Sequence, residues 1–124
     1  VFGDSVIAGN AKKLKSFFRA DDIICRIGGD EFLVLCKNIC EKDLNRKITK
    51  MIEDMVMSCE NDGRKMIFSV SAGYAMAPEQ GTGFDELYEK ADIALFAAKT
   101  GGRGTFRKYE VSMKKTRYEL AGRN

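Results

Sequence analysis

The sequence has no histidine and no tryptophan, and a single proline among 124 residues. Each absence removes a class of explanation. Without histidine, imidazole acid–base catalysis and the Ser-His and Cys-His nucleophile pairs are excluded within this chain. Cys25, Cys36, Cys40 and Cys59 include no CxxC pair, so the spacing of a zinc site is missing. Cys25 and Cys36 lie inside apolar runs and read as small buried hydrophobes, and a reduced, cytoplasmic setting fits this usage. The apolar runs are too short to cross a bilayer and no signal-peptide pattern opens the chain, so no membrane contact is expected in this segment. One proline and no low-complexity stretch argue against internal disorder. A net charge of +3 is too mild for a nucleic-acid binder. The basic residues gather late, over 99–110 and 112–119. They read as solvated surface, with a few available for a nucleotide's phosphates.

What is present describes one ordinary globular domain, with 44% hydrophobic and 31% charged residues. Ile7, Ala11, Leu14 and Phe18 form a helical stripe over 5–19, which Asp4 or Ser5 would cap. Apolar runs at 21–27 and 32–36, joined through a Gly-Gly pair, predict a hairpin. Helical spacing returns over 41–60, with Ile48, Met51, Ile52, Met55, Val56 and Cys59 on one face, and Asn61-Asp62-Gly63 ends it. Residues 66–76 alternate as a strand, with Phe68, Val70, Ala72 and Tyr74 facing one way. An amphipathic helix follows over 84–99, then a short edge strand over 105–110 and a polar helical stretch over 112–122. The sum is an α+β fold, a mainly antiparallel sheet with flanking helices. Three strands are few for a sheet covered by three helices, and the chain opens at a helix start. A strand and a helix are therefore expected upstream of residue 1.

The turn Gly28-Gly29-Asp30-Glu31 carries the chemistry. A glycine pair lets backbone approach a ligand closely, and adjacent carboxylates are hard oxygen ligands suited to Mg²⁺ held together with substrate phosphates. An acidic hairpin turn with no ligand is the alternative. Lys99 ends the amphipathic helix, and Gly101 and Gly102 leave room for Arg103; both cations are natural phosphate partners. Arg19 near a helix C-terminus complements the dipole, and Asp22 starts a turn.

The stretch "RIGGDEF", 26–32, resembles the signature of the GGDEF-domain diguanylate cyclases, matching it at Gly28, Gly29, Asp30, Glu31 and Phe32. Further motifs follow in register with it. Gly3-Asp4 looks like the end of the family's GHxxGD segment. Arg19 and Asp22 form an RxxD motif. "FSVSAGYA", 68–75, is similar to the SxGxA strand, and "LYEKADIALFAAKTGGRG", 87–104, to the AD-x-ALY-x-AK-x-x-GRN segment. The likeness covers nearly all of residues 3–109.

The resemblance implies a nucleotide-cyclase-palm-like fold that condenses two GTP into cyclic di-GMP, with two domains apposed in a homodimer. It implies Mg²⁺ (or Mn²⁺) as cofactor. Asp30 would ligate the metal and help activate the attacking hydroxyl, and Glu31 would support the metal site. Gly28 and Gly29 would admit the phosphates, Asp4 would read the guanine edge, and Lys99 and Arg103 would grip the terminal phosphates. Arg19 and Asp22 would form the product-inhibition site.

Departures qualify this. The family's first strand, with DxDxFK and an ND pair, is absent, so residues 1–109 are expected to be a partial, N-terminally truncated GGDEF domain. Such a chain is expected to be inactive by itself. Gly104 stands where the family has Asn, and Phe96 where it has Tyr. Residues 110–124 resemble the helical linker that leads into an EAL phosphodiesterase domain. The alternative function is therefore a catalytically silent domain, binding cyclic di-GMP or GTP, in a GGDEF–EAL signalling protein. A purely structural dimerisation domain is a third, weaker reading.

Overall fold

The structure is a computed structural model that describes residues 12–28, 31–55, 57–61, 63–102 and 104–114. It divides into two compact units, Val1–Met55 and Val56–Asn124.

In the first unit a helical turn over 12–15 buries Leu14, and Asp4 and Ser5 lie outside the described residues. Strands β1 (Ile23–Gly28) and β2 (Glu31–Leu35) pair antiparallel, from Ile23 opposite Leu35 to Gly28 opposite Glu31. The register slips between Arg26 and Gly28, a bulge of the kind that re-aims side chains near a strand end. Helix α1 (Glu41–Asp54) buries Leu44, Ile48, Met51 and Ile52, the spacing of one helical face. Glu41 and Asp43 sit in its first turn, where the dipole favours negative charge. Lys13 Nζ donates to the Asp54 carbonyl, and Lys47 Nζ lies 5.3 Å from the Phe18 ring centre. Both contacts join α1 to the segment before β1.

The first difference from expectation is the end of α1, at Asp54 rather than residue 60. Residues 57–61 form strand β3 (Met57–Asn61), paired antiparallel with β4 (Arg64–Phe68) in register from Met57 opposite Phe68 to Asn61 opposite Arg64. The expected helix stop at 61–63 is therefore not one: Asn61 pairs with Arg64, and Gly63, at φ +76°, takes the left-handed conformation that hairpin connections need. Val56 and Cys59 continue the helical spacing of α1, which hid the change of period. A second difference concerns the cysteines. Cys25 is exposed, on the open face of β1 with Ile23 and Ile27, while Cys36 is only partly buried.

The second unit is built on a strand–helix–strand crossover. The expected strand over 66–76 is broken: β4 ends at Phe68 and β5 (Ala72–Tyr74) begins after Ser71. Helix α2 (Phe84–Thr100) then leads to β6 (Phe106–Lys108), which pairs with β5 in parallel, Ala72 opposite Phe106 and Tyr74 opposite Lys108. A helix carries the chain back along the sheet, so the strands it joins run the same way. The ladder extends at both ends, with Ala72 N–H donating to Thr105 O at 3.0 Å and Tyr109 N–H to Tyr74 O at 2.9 Å. Among the described residues the strands thus form three two-stranded sheets, two antiparallel and one parallel.

Ile93, Ala94, Tyr109 and Met113 form the core of this unit, with Ala75 and Ala97 against it. Gln80 braces the loop before α2: its Nε2 donates to Tyr109 O at 2.8 Å and its Oε1 accepts from Met76 N–H at 2.9 Å. The closest approach is at Gly73. A Cβ there would stand 2.1 Å from Leu95 N and 2.5 Å from Ala91 O, both helix backbone. Helix backbone cannot yield as a flexible side chain would. Gly73→Ala is therefore expected to destabilise the fold by about 3 kcal/mol or more, read as a lowered urea midpoint.

Candidate functional site

The hairpin tip is set by its register. Gly28 ends β1 and Glu31 begins β2, and the two are cross-strand partners. Gly29 and Asp30 separate them in the chain and lie outside the described residues, as do Asp4 and Arg103. Glu31 is partly buried and already engaged in an interaction. Among the described residues no group of three or more His, Cys, Asp or Glu gathers to cage a metal. Mg²⁺ does not require such a cage, because one or two carboxylates plus substrate phosphates usually hold it. The adjacent acids Asp30 and Glu31 are hard donors of the right kind.

Lys99 belongs to the second unit, as the next-to-last residue of α2, where a cation complements the helix dipole. The helix closes with Gly101 N–H donating to Ala97 O at 2.9 Å. Gly102 and Gly104 follow with φ +128° and +66°. The second value explains the departure at Gly104: Gly and Asn are the residues that enter this region most easily. A Cβ at Gly104 would meet Ser69 at 3.7 Å, an ordinary contact. Sequence reading singled out Gly104 but missed its partner, Ser71, whose Oγ accepts from Gly104 N–H at 3.0 Å.

Arg19 and Asp22 are brought together within the first unit. Asp22 N–H donates to Arg19 O at 3.1 Å. In return Arg19 N–H donates to Asp22 Oδ2 at 2.9 Å, and Lys37 N–H donates to Asp22 Oδ1 at 3.3 Å. The carboxylate therefore ties the turn before β1 to the residue just after β2. The amide of Arg19 holds the Asp22 carboxyl below its ordinary range, aided by the Lys37 amide and by the charges of Lys47 and Arg19. Burial, and then the nearby Asp22 charge, push the Cys36 thiol above its ordinary range.

A concavity of about 310 Å³ opens beside this turn, lined by Lys15, Phe18, Arg19, Ala20, Asp22 and Ile24. Two cations, one carboxylate and an aromatic ring suit an anionic ligand carrying planar groups. Lys15 and Phe18 were not foreseen as site residues. Lys15 ends the helical turn and Arg19 follows outside it, and both line the concavity.

The Asp22 bonds predict a pH dependence. A depressed carboxyl contributes stability that is complete above its unfolded value, near pH 4, and is lost as pH falls through the folded value. Asp22→Asn turns one accepting oxygen into a donor that faces an amide. At pH 7 it is expected to cost about 1–2 kcal/mol, and the gap to wild type should narrow by about pH 3. Urea midpoints at the two pH values check this.

The sequence model described as "Diguanylate cyclase, GGDEF domain" matches residues 1–105. The chain is 37% identical over 112 residues to the uncharacterized protein y4lL of Sinorhizobium fredii, covering 90% of this chain and 14% of that protein. It is 29% identical over 119 residues to the cyclic di-GMP phosphodiesterase PdeR of Escherichia coli, covering 96% of this chain and 18% of PdeR. The chain thus spans less than a fifth of either relative. Among solved structures, the GGDEF domain of YfiN (TpbB) from Pseudomonas aeruginosa is similar with a TM-score of 0.78 at 30% identity, covering 87% of this chain and 68% of that one. Sequence motifs, α+β architecture and these likenesses converge: the chain belongs to the GGDEF-domain family.

Proposed function

We propose that the protein carrying this chain is a diguanylate cyclase, which condenses two GTP into cyclic di-GMP and releases two pyrophosphates. Residues 1–109 contribute to its GGDEF domain, and we assign 110–124 to a linker or tail, of which Met113 packs into the core of the second unit. The observation that supports this reading is the pairing of Gly28 with Glu31, the described residues that flank the signature turn, at the closed end of the β1–β2 hairpin. Family membership supports it independently.

In the reaction the 3′-oxygen of one GTP forms a bond to the α-phosphorus of the other, and the bond from that phosphorus to the bridging oxygen breaks. Asp30 takes the hydroxyl proton, and Glu31 adds negative charge beside it. Gly28 and Gly29 present no side chain to the phosphates. Asp4 accepts from the guanine N–H groups. Lys99 and Arg103 neutralise the departing pyrophosphate. Asp30 and Glu31 would hold Mg²⁺ or Mn²⁺, which supplies charge neutralisation and a more acidic hydroxyl when bound. Each domain binds one GTP, so two copies face each other for both bonds to form. GTP supply and the free thiols of Cys25, Cys36 and Cys40 fit a cytoplasmic domain.

A second reading is kept because PdeR is named a phosphodiesterase. There the domain senses cyclic di-GMP through Arg19 and Asp22, or binds GTP, and regulates a following EAL domain. Turnover separates the two. The full-length protein, given GTP and Mg²⁺, is expected to form cyclic di-GMP. Asp30→Asn should slow it by about 100-fold or more. A protein that binds GTP yet forms no product would favour the sensor reading.

A further inference from the structure

The turn that carries Arg103 is anchored on both sides by described residues. On the helix side, Gly101 N–H donates to Ala97 O at 2.9 Å, and Thr100 Oγ1 donates to Phe96 O at 3.0 Å. On the strand side, Ser71 Oγ accepts from Gly104 N–H at 3.0 Å, and Ala72 N–H donates to Thr105 O at 3.0 Å. Two residues, Gly102 and Arg103, bridge the anchors. Three of the four bonds belong to helix closure or to the strand ladder. The Ser71 bond belongs to neither. Ser71 lies before β5, outside regular structure, and its hydroxyl is partly buried against the turn. Gly104 takes φ +66°, and a glycine there has many other conformations to visit once its amide loses its partner.

We propose that Ser71 is a positioning residue for the phosphate end of the GTP site: by accepting the Gly104 amide, its hydroxyl fixes the backbone next to Arg103, the residue read above as a terminal-phosphate ligand. This gives a physical role to the serine of the SAGYA stretch, whose glycine is already explained by close packing on α2. The inference rests on the reading of Arg103 as a phosphate ligand. Ser71 touches no substrate. It acts by restricting a backbone that otherwise has glycine on both sides of the arginine, and ordering that backbone before binding spares the ligand the cost of ordering it.

The test is a binding cycle in the full-length protein with Ser71→Ala, Ser71→Thr, Arg103→Ala and the Ser71→Ala/Arg103→Ala double variant. Each is titrated with GTP and with GMP, which lacks the terminal phosphates. Ser71→Ala is expected to weaken GTP about tenfold, the scale of one hydrogen bond, and GMP less than about twofold. Ser71→Thr keeps the hydroxyl and should restore GTP binding. The double variant should bind GTP no more weakly than Arg103→Ala, since the serine acts through the arginine. If Arg103→Ala weakens GTP and Ser71→Ala does not, the positioning role fails while the phosphate reading stands. Equal loss of GTP and GMP in Ser71→Ala would mark a merely structural residue and also overturn the inference. If Arg103→Ala leaves GTP binding unchanged, the phosphate reading fails, and this inference with it.

Discussion

Gly73 faces the backbone of α2 with room for a hydrogen and nothing larger. Much of the second unit follows from that contact. The helix can lie so close to β5 only because the strand offers no side chain there and the helix offers Ala91, Ala94 and Ala98, the last two fully buried. With α2 seated, the chain returns beside β5 and the parallel pair with β6 closes. Tyr109 and Met113 then complete a core on Ile93 and Ala94. The same seating fixes where α2 ends, and so where Lys99 and the glycine-rich turn begin. A contact with no chemistry of its own thereby sets one end of the candidate nucleotide site.

The first unit relies on a polar device instead. Both oxygens of Asp22 accept backbone amides, one from its own turn and one from the far end of the β1–β2 hairpin. That arrangement gives Asp22 a structural task whatever it binds, and it leaves Arg19 exposed at the rim of the concavity. The two residues of the RxxD motif therefore divide the work: the aspartate shapes the turn and the arginine faces outward. Aspartate satisfies the turn's amides while adding negative charge beside a cationic rim, which narrows the ligands that fit. Arg19 and Lys15 are the two cations that line the concavity.

Much of this was legible in the sequence, and the failures share a cause. The β1–β2 hairpin and α2 announce themselves through glycine punctuation and long periodic spacing, and the β5–β6 edge through a short alternating run after TGGRG. The β3 strand did not, because Val56 and Cys59 keep the period of α1, and only pairing with β4 reveals the change. The alternation across 66–76 hid a break for a similar reason: Ser69 to Ser71 preserve the period while leaving the ladder. Parallel pairing of β5 with β6 was readable from the helix between them but was not drawn out. Cys25 looked buried because apolar neighbours say nothing about which face of a ribbon is covered. At the site, the signature residues were readable as motifs. Ser71 and Lys37 were not, since each contributes one atom to a residue far away in the chain.

The functional account separates into what each unit brings. The hairpin closes with Gly28 opposite Glu31, and the last turn of α2 carries Lys99. The turn at Arg19 and Asp22 borders the concavity of the first unit. The described residues that line it all belong to that unit. The claim common to both functional readings is the proposal that Arg19 and Asp22 bind cyclic di-GMP, as a cyclase's inhibitory product or as a sensor's ligand. Calorimetric titration of the 124-residue chain with cyclic di-GMP, beside Arg19→Ala, tests it most directly. The account predicts saturable binding that the variant weakens by about tenfold or more. A cooperatively folded chain that binds no cyclic di-GMP, or binds it equally well without Arg19, would contradict it.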